Sequence, residues 1–396
     1  MKYGEYTLTV LLLIIIYLSF ISLGLPDSLL GSAWPSMFNS LNVPLHYAGY
    51  ISVIIAGGTV ISSIFSERII RRFGTGIVTV ASTFMTAAAI VGFSFSHSFF
   101  LLCVFAIPLG FGAGSVDVAL NNYVALHFKA RHMSWLHCFW GIGASAGPLI
   151  MSSFLIRQNS WNAGYGAIGI IQFCLVILLI VSLPLWKNSE SKENTERNNP
   201  VKFSEIFRMV GVKEVLIAFF CHCSIEITVV IWGASYLVIE KGISPEIAAK
   251  WIALYYVGLT FGRFISGFAT IKLNNRRMIR LGQIILACGI IVLVLPFWDI
   301  TLLPGLFVIG LGCAPIFPSL LHSTPENFGR EHSQAIMGVQ MGSAYIGTTI
   351  MPPIFGWFAS HISFGMFPIF IGVLLIILII MAEVLNRKID SIETRK

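Results

Sequence analysis

Charged residues are scarce in this chain, since only 11% of its 396 residues are Asp, Glu, Lys or Arg while 56% are hydrophobic. A typical soluble domain has about 25% charged residues. So much apolar side chain cannot be buried in the core of one soluble protein, and the composition excludes a soluble globular fold. The longest polar stretch, residues 187–213, is too short to form a separate soluble domain.

Sequence patterns for catalysis and metal binding are missing as well. The seven cysteines lie inside apolar segments, and only Cys221 and Cys223 are close in sequence. That spacing fits neither a zinc site nor a disulfide framework. No candidate nucleophile has a base placed beside it. We therefore expect no enzyme activity, no cofactor and no metal.

Long apolar segments dominate what is present, and a membrane-spanning helix needs roughly 20 such residues. The pattern predicts an all-α integral membrane protein with twelve spanning helices. The predicted spans are 7–31, 45–65, 74–95, 99–126, 134–156, 163–186, 214–239, 247–271, 278–298, 301–323, 334–358 and 361–386.

Basic residues give the expected orientation of these spans. The formal net charge of +7 could suggest nucleic-acid binding, but most of the 25 Lys and Arg residues crowd into alternate loops. Such loops face the cytoplasm. We therefore expect the protein to lie in the lipid bilayer of the cell (plasma or inner) membrane with both termini in the cytoplasm. We expect no nucleic-acid partner.

A polar linker and an internal repeat divide the chain into two halves. The turn SSIFSERIIRRFG after the second span has a weaker counterpart, SGFATIKLNNRRMIRLG, about 204 residues later. Duplicated halves around a site near the membrane midplane are a transporter architecture. We predict six-helix bundles at 1–186 and 214–396, joined by a cytoplasmic linker at 187–213, with a cavity between the bundles.

Four of the predicted spans, the first, fourth, seventh and tenth, carry an acid or a histidine that lipid would not tolerate: Asp27, Asp117, Glu226 and His322. A carboxylate at the bilayer centre costs about 2.5–3.5 kcal/mol on insertion scales, so such residues face a bundle interior or a water-filled path. Asp117 is the first candidate for a proton carrier and Glu226 the second. His322 lies near the end of its span, where simple snorkelling is the alternative.

Aromatic and amide residues near these acids are candidates for the substrate pocket. Trp34, Trp140, Trp232 and Tyr236 could stack on a sugar ring, and Asn121, Asn122 and Gln340 could supply hydrogen bonds. Interfacial or packing roles are the alternative for each of them. Arg263, inside the eighth span, needs a carboxylate or carbonyl partner, for which we favour a structural or gating role over substrate contact.

Several motifs carry a family resemblance. The turn Ser66 to Gly74, the twelve spans and the repeat resemble the major facilitator superfamily. Within it, LPDSLLGSAWP, GAGSVDVALNNY and SWLHCFWGIGA are similar to the fucose permease branch of sugar/proton symporters. By this resemblance Asp27 takes part in substrate binding and proton handling, and Asp117 carries the proton. The residues that depart from that branch are His137 and Trp140, which stand where it has a glutamine and an asparagine.

The resemblance also implies roles for two further groups. Glu226 and Trp232 match a pattern in the seventh helix of this branch. The turn residues that form charge contacts between cytoplasmic helix ends, and so stabilise one access state, are Glu67, Arg68, Arg71 and Arg72.

The combined expectation is alternating-access symport of protons with a small neutral polar solute, with a sugar favoured, by a chain that functions as a monomer. The alternative is a proton-coupled antiporter that exports drugs or metabolites, because Gly143 to Pro148 resembles a motif of such exporters. Close helix packing also explains that glycine pattern. A membrane sensor without transport is a further alternative.

Overall fold

The computed structural model describes residues 2–44, 47–158, 160–190, 203–243, 245–294 and 302–393, and within these ranges the chain is helical with no β-strand. The chain separates into two compact units. Unit 1 contains residues 1–123 and 136–200, and unit 2 contains residues 124–135 and 201–396. Residues 191–202 of the predicted linker lie outside the described ranges.

Unit 1 takes in the helices up to the linker. They are α1 (Lys2–Asp27), α2 (Leu29–Ser40), α3 (Ala48–Phe73), α4 (Thr75–Ser94), most of α5 (Phe99–His127), most of α6 (Ala130–Gln158) and α7 (Trp161–Glu190). The short α2 continues α1 after a break at Ser28, so that the pair forms the first predicted span.

Unit 2 takes in the remaining helices and the junction of α5 and α6. Its helices are α8 (Phe203–Ile206), α9 (Val212–Ile239), α10 (Pro245–Ala269), α11 (Asn275–Val294), α12 (Leu302–Cys313), α13 (Ile316–His322), α14 (Thr324–Phe328), α15 (Arg330–His361) and α16 (Phe367–Glu393), with a 3₁₀ turn at Phe364–Met366.

The prediction of an all-α membrane fold with twelve spanning helices is confirmed. Every predicted span overlaps a long helix or a broken pair of helices. Within the described ranges, ten of these segments are long and apolar enough to cross a membrane. The other two predicted spans, the eighth and the eleventh, correspond to α10 and α15.

The first span is broken beside Asp27, and a distant glutamine compensates for the break. Pro26 lacks an N–H, so the carbonyl oxygen of Ser22 loses its intrahelical partner. Gln172 of α7 donates its Nε2–H to that oxygen at 2.5 Å and accepts the Ser22 hydroxyl at 2.6 Å. Because a lone carbonyl is costly inside a membrane, this pair of hydrogen bonds stabilises the bend that positions Asp27.

The tenth predicted span is also interrupted, which the sequence analysis did not predict. The α12 helix ends at Cys313 and α13 begins at Ile316. Pro315 cannot donate the next helical hydrogen bond and restricts the residue before it. The second segment, from Ile316 to His322, is therefore free to follow a different direction from α12.

Small residues bring pairs of helices close together in both units. A Cβ atom on Gly58 of α3 would lie 3.3 Å from Gly110 of α5. A Cβ atom on Gly262 of α10 would lie 2.5 Å from the Cβ of Ala314, which follows α12. Each member of the second pair lies 204 positions after its counterpart in the first. The repeat predicted from the turn motifs therefore recurs in a packing contact within each unit.

The junction between α5 and α6 packs on helices of the C-terminal half, and all of these residues belong to unit 2. The Trp135 ring meets Phe268 with 5.5 Å between centroids, and a Cβ on Gly267 would overlap the indole. The carbonyl oxygen of Phe128 is 3.1 Å from Nε2 of His322. Packing of Trp135 on α10 and the contact of His322 with Phe128 thus fix the junction to α10 and α13.

Candidate functional site

A buried chain of polar side chains crosses unit 1 from α5 to α6. Asn121 donates its Nδ2–H to Oδ1 of Asp117 at 2.8 Å and to the Asp117 carbonyl at 2.9 Å. Its Oδ1 is 3.0 Å from Nε2 of His137. These three side chains are at most 8% exposed. Two of them lie one turn apart on α5, and the third reaches them from α6.

The donor and acceptor roles along this chain are fixed by its chemistry. An ionised carboxylate only accepts hydrogen bonds, so the amide nitrogen of Asn121 must face Asp117 and its oxygen must face His137. The oxygen can only accept, and His137 must therefore carry a proton on Nε2. Asn121 thus bridges the carboxyl group of Asp117 and the imidazole of His137.

Asp27 forms a second polar contact in the same unit. The indole Nε1–H of Trp140 donates to Oδ2 of Asp27 at 2.8 Å. Asp27 is exposed and Trp140 is half-buried. Trp140 lies three positions after His137 on α6, which places both on one side of that helix.

Close packing of α1 against α6 holds this contact in place. A Cβ atom on Gly24 would overlap the carbonyl oxygen of Trp140, and one on Gly143 would overlap that of Ile21. The Ser28 hydroxyl donates to the carbonyl oxygen of Ala144 at 2.7 Å. Helices lacking side chains at the contact can approach closely. The glycines that resembled an exporter motif therefore serve packing in this structure.

Unit 2 contains a separate ionic cluster on α9 and α10. Nη2 of Arg263 lies 3.4 Å from Oε1 of Glu226, and Nε2 of His222 lies 3.5 Å from Oε2 of the same carboxylate. The side chains of Arg263 and His222 are 5% and 0% exposed, whereas that of Glu226 is 20% exposed. The sequence analysis expected a carboxylate or carbonyl partner for Arg263, and the structure provides the carboxylate of Glu226.

The charge state of this cluster follows from the arginine. Arg263 stays protonated at every relevant pH, and a buried cation without a counter-ion is strongly destabilising. Glu226 therefore supplies the balancing negative charge and is favoured as an ionised group. The Phe317 ring, 6.2 Å from the His222 ring, closes the apolar side of the cluster.

Three of the other candidate pocket residues lie in packed surroundings. Trp34 belongs to the hydrophobic core of unit 1 and is 5% exposed. Trp232 donates its Nε1–H to the carbonyl oxygen of Pro352 at 2.8 Å. The Tyr236 ring stacks on Phe367 with 5.0 Å between centroids. These contacts give the three aromatic residues roles in helix packing.

The two remaining amides differ in their surroundings. Gln340 is completely buried and accepts the Thr324 hydroxyl at 2.9 Å, so its oxygen is used between α15 and α14. Asn122 is 7% exposed and follows Asn121 on α5. Consecutive residues of a helix point about 100° apart, and Asn122 therefore faces a different direction from the Asp117 pair.

His322 and the turn charges form local contacts near helix ends. His322 accepts a hydrogen bond at Nδ1 from Nδ2 of Asn275 at 3.0 Å, in addition to its contact with the Phe128 carbonyl. Glu67 pairs with Arg71 at 3.2 Å, one turn apart on α3. The guanidinium groups of Arg68 and Arg72 lie over phenylalanine rings.

Two residues of these clusters were missed by the sequence analysis. Gln172 acts on a carbonyl 150 positions away, a pairing that no local pattern discloses. His222 lies one turn before Glu226, and that spacing is a signal that could have identified it. Among the described residues, no group of three or more His, Cys, Asp or Glu side chains could hold a metal ion.

Known proteins resemble this chain over nearly its whole length. The glucose/mannose transporter GlcP of Bacillus subtilis is 24% identical over 358 residues, covering 86% of each chain. The cis,cis-muconate transport protein of Acinetobacter baylyi is 25% identical over 357 residues, covering 85% of this chain and 84% of the relative.

Solved structures share the fold. FucP in the outward conformation superposes with a TM-score of 0.77 at 14% identity. A second FucP structure, described as the E. coli fucose:proton symporter, gives 0.73 at 15% identity, and each match covers 94% of this chain and 97% of FucP. At such identities the likeness establishes the fold alone.

A family model supplies the assignment. The model of the Major Facilitator Superfamily matches residues 16–252 and 215–391. The resemblance noted in the turn motif, the twelve spans and the repeat is confirmed, and the family and fold are those of transporters rather than enzymes. This chain belongs to the Major Facilitator Superfamily.

Proposed function

We propose that this protein is a secondary active transporter that carries a small neutral polar solute, a sugar in the favoured case, together with protons by alternating access. The observation that supports this proposal most strongly is the buried chain of Asp117, Asn121 and His137. A buried acid hydrogen-bonded to neutral polar groups can bind and release a proton. The names of GlcP and FucP add support for a sugar substrate.

Asp117 carries the transported proton in this proposal. Protonation removes the negative charge and turns one carboxylate oxygen into an O–H donor. The hydrogen bonds of Asn121 and His137 then rearrange, which changes the polar surface offered to a substrate. Because a ligand shifts a conformational equilibrium only through differential affinity, this rearrangement would couple protonation to substrate binding.

Substrate binding is assigned to the polar groups of unit 1, with Asp27, Trp140 and His137 as the main contacts. The exposed Asp27 carboxylate can accept hydrogen bonds from hydroxyl groups, and the Trp140 ring can stack on a sugar's apolar face. Asn121 and Asn122 are further candidate contacts on α5. Gln340 and Trp232 are not part of this set, because Gln340 is completely buried with its oxygen bonded to Thr324 and the Trp232 N–H is bonded to Pro352.

Glu226 is assigned a structural role in this proposal. Its contact with Arg263 favours a permanent ion pair that holds α9 against α10. Proton transfer is therefore assigned first to Asp117, with Asp27 next and Glu226 last. The last two turns of α3 contain Glu67, Arg68, Arg71 and Arg72, and charge contacts there are proposed to favour one access state.

The setting proposed for this transport is the cell (plasma or inner) membrane. The crowding of basic residues into alternate loops supports cytoplasmic termini. A single chain is proposed to be sufficient, with protons and the small solute as its ligands.

Replacing Asp117 by Asn tests the proposal. Asparagine keeps the size of the side chain but cannot exchange a proton. In proteoliposomes loaded with solute, Asp117→Asn should keep counterflow exchange at near wild-type rate and lose accumulation driven by an inward proton gradient. Glu331→Gln, at a carboxylate 67% exposed on α15, is the matched control and should accumulate normally.

The outcomes separate the alternatives. Normal accumulation in Asp117→Asn would remove this residue from the proton role. Saturable binding without flux in the wild type would indicate a sensor. Efflux of amphipathic cations driven by proton entry would indicate the exporter. The solute for these assays is found by a ligand-dependent thermal-shift screen of the purified protein with sugars, polyols and lipophilic cations.

A further inference from the structure

His222 of α9 is a buried histidine that the proposed transport mechanism does not use. Its side chain is 0% exposed, and neither ring nitrogen has a hydrogen-bond partner within the part of the chain that the structure describes. Buried polar groups are usually hydrogen-bonded. The nearest charge is the Glu226 carboxylate one turn along α9, whose Oε2 lies 3.5 Å from Nε2 of His222. The histidine is thus placed beside a carboxylate without bonding to it.

The two oxygens of Glu226 face two different nitrogen groups. Oε1 lies 3.4 Å from Nη2 of Arg263 on α10, and Oε2 faces His222 on the same helix as Glu226. A charge-assisted hydrogen bond from a nitrogen cation to a carboxylate is about 2.7–2.9 Å long. Neither contact is that short. The carboxylate therefore lies between two groups and can tighten its contact with either one.

Charge balance favours one cation at a time in this cluster. Arg263 is always protonated, and with Glu226 it forms a neutral pair. A proton added to His222 would place a second buried cation beside Arg263 without a second counter-ion, which is costly. His222 is therefore neutral while Arg263 stays on Glu226. The single ring proton then lies on Nε2, because the carboxylate oxygen that it faces can only accept.

The other titratable groups around the carboxylate are phenols and a thiol. Tyr255 and Tyr256 of α10 and Cys313 of α12 interact electrostatically with Glu226. Tyr345 of α15 lies two positions before a glycine that packs on α9. Phenol and thiol groups are uncharged below about pH 7. These groups therefore add no charge to the cluster at neutral or mildly acidic pH.

The helices on the remaining sides of α9 bring groups of other kinds. Phe317 of α13 presents its ring to His222 with 6.2 Å between centroids, whereas the histidine at the end of the same helix is bonded to α11. Lys388 of α16 pairs with Glu214, which lies eight positions before His222, or about 12 Å along the helix. A charge that appears in this cluster between about pH 5 and pH 7 is therefore assigned to His222.

We infer that His222 is a proton-binding site that replaces Arg263 as the counter-ion of Glu226. When Arg263 withdraws from the carboxylate, His222 takes up one proton from the aqueous phase on Nδ1. Its Nε2–H then closes on Oε2 as a charge-assisted hydrogen bond. The cluster is neutral in both arrangements, so Glu226 is never left as an unpaired buried charge.

This exchange couples a proton to a contact between helices. Arg263 joins α10 to Glu226 of α9, whereas His222 and Glu226 belong to the same helix. Proton uptake by His222 therefore accompanies the loss of one bond between α9 and α10. The inference concerns unit 2 alone. It depends neither on the role of Asp117 nor on which solute is carried.

Arg263→Gln imitates the withdrawal of the arginine and tests the inference in detergent. Its loss of melting temperature relative to wild type should be about 3 °C smaller at about pH 5.5 than at about pH 7.5, because only the lower pH lets His222 supply the missing cation. In a His222→Gln background the loss caused by Arg263→Gln should be equal at both pH values. His222→Asn repeats this test if His222→Gln does not fold. His97→Gln, at an exposed histidine of unit 1, is the matched background and should keep the difference.

Two results of these melting experiments would overturn the inference. An equal loss at both pH values in Arg263→Gln alone would mean that no proton replaces the arginine. A pH difference that persists without His222 would mean that another group, such as Glu226 itself, takes the proton.

Nitrogen-15 NMR of histidine-labelled wild-type protein gives a check that leaves Arg263 unchanged. The ring signals that disappear in His222→Gln or His222→Asn should show a neutral ring with its proton on Nε2 at about pH 6, where an ordinary histidine is mostly protonated. A ring protonated on both nitrogens would contradict the inference, because His222 would then be a cation while Arg263 is still paired.

Discussion

Asp117 and Glu226 are both acids within apolar helices, yet their surroundings differ. Those of Asp117 suit a carboxyl group that gains and loses a proton, whereas those of Glu226 favour a permanent negative charge. Asp117 contacts an amide, which stabilises its charge without supplying a counter-ion. Glu226 contacts a buried arginine, which requires its charge. The sequence identified both acids from the cost of placing a charge in lipid. It could not rank them by their partners, because Arg263 lies 37 positions from Glu226.

Removing one charge of the Glu226 and Arg263 pair should cost more stability than removing both. Glu226→Gln leaves a buried arginine without its counter-ion, a change worth 3–5 kcal/mol for fully buried pairs. We expect about 2 kcal/mol here, because the Glu226 side chain keeps 20% exposure. Glu226→Gln/Arg263→Gln should recover at least half of that loss.

Thermal unfolding of both single variants and the double variant in one detergent measures this coupling. Glu240→Gln, at an exposed position at the end of α9, serves as the control for loss of a carboxylate. Additive losses in the double variant would show that the two side chains do not stabilise each other, and Glu226 would return as a candidate proton carrier.

At the level of helices, hydropathy located the spans but not their breaks. The turn at Ser28 and the gap between Cys313 and Ile316 interrupt segments that read as continuous apolar runs. Pro26 and Pro315 mark both places. Proline inside a membrane helix is tolerated when another group satisfies the freed carbonyl, so its effect depends on partners such as Gln172. The proline can be read from the sequence, but the distant residue that bonds the freed carbonyl cannot.

The contact between α1 and α6 gives a prediction for one glycine. Gly143→Ala should destabilise the protein by about 1–3 kcal/mol, the usual cost of overpacking, because the added Cβ would overlap the Ile21 carbonyl oxygen. The same shift should loosen the contact of Trp140 with Asp27 and weaken solute binding.

Gly57→Ala is the matched control, since a Cβ there has nothing within 4 Å and α3 is helical at that position. Alanine favours a helix over glycine, so this variant should be neutral or slightly more stable. Melting temperatures and solute affinity check both variants. Wild-type values in Gly143→Ala would mean that α1 and α6 are not held together as described.

For the chain as a whole, the division into two six-helix bundles remains a prediction about domains, and the structure adds two observations to it. The displacement of 204 positions relates Gly58 and Gly110 in unit 1 to Gly262 and Ala314 in unit 2. Residues 124–135 group with unit 2 although they precede the linker. Composition and periodicity sufficed for the fold. The grouping of 124–135 depends on contacts such as Phe128 with His322, which are distant in sequence.

Transport coupled to protons is the central claim, and it has a direct test. Proteoliposomes that contain the wild-type protein are placed in a weakly buffered medium with no imposed gradient. A sugar found by the thermal-shift screen is then added to the medium. A symporter draws protons inward with the solute, so a pH electrode should record alkalinisation of the medium in a fixed ratio to solute uptake. Asp117→Asn should show none. Solute entry by the wild type with no change in external pH, or with acidification, would contradict the account.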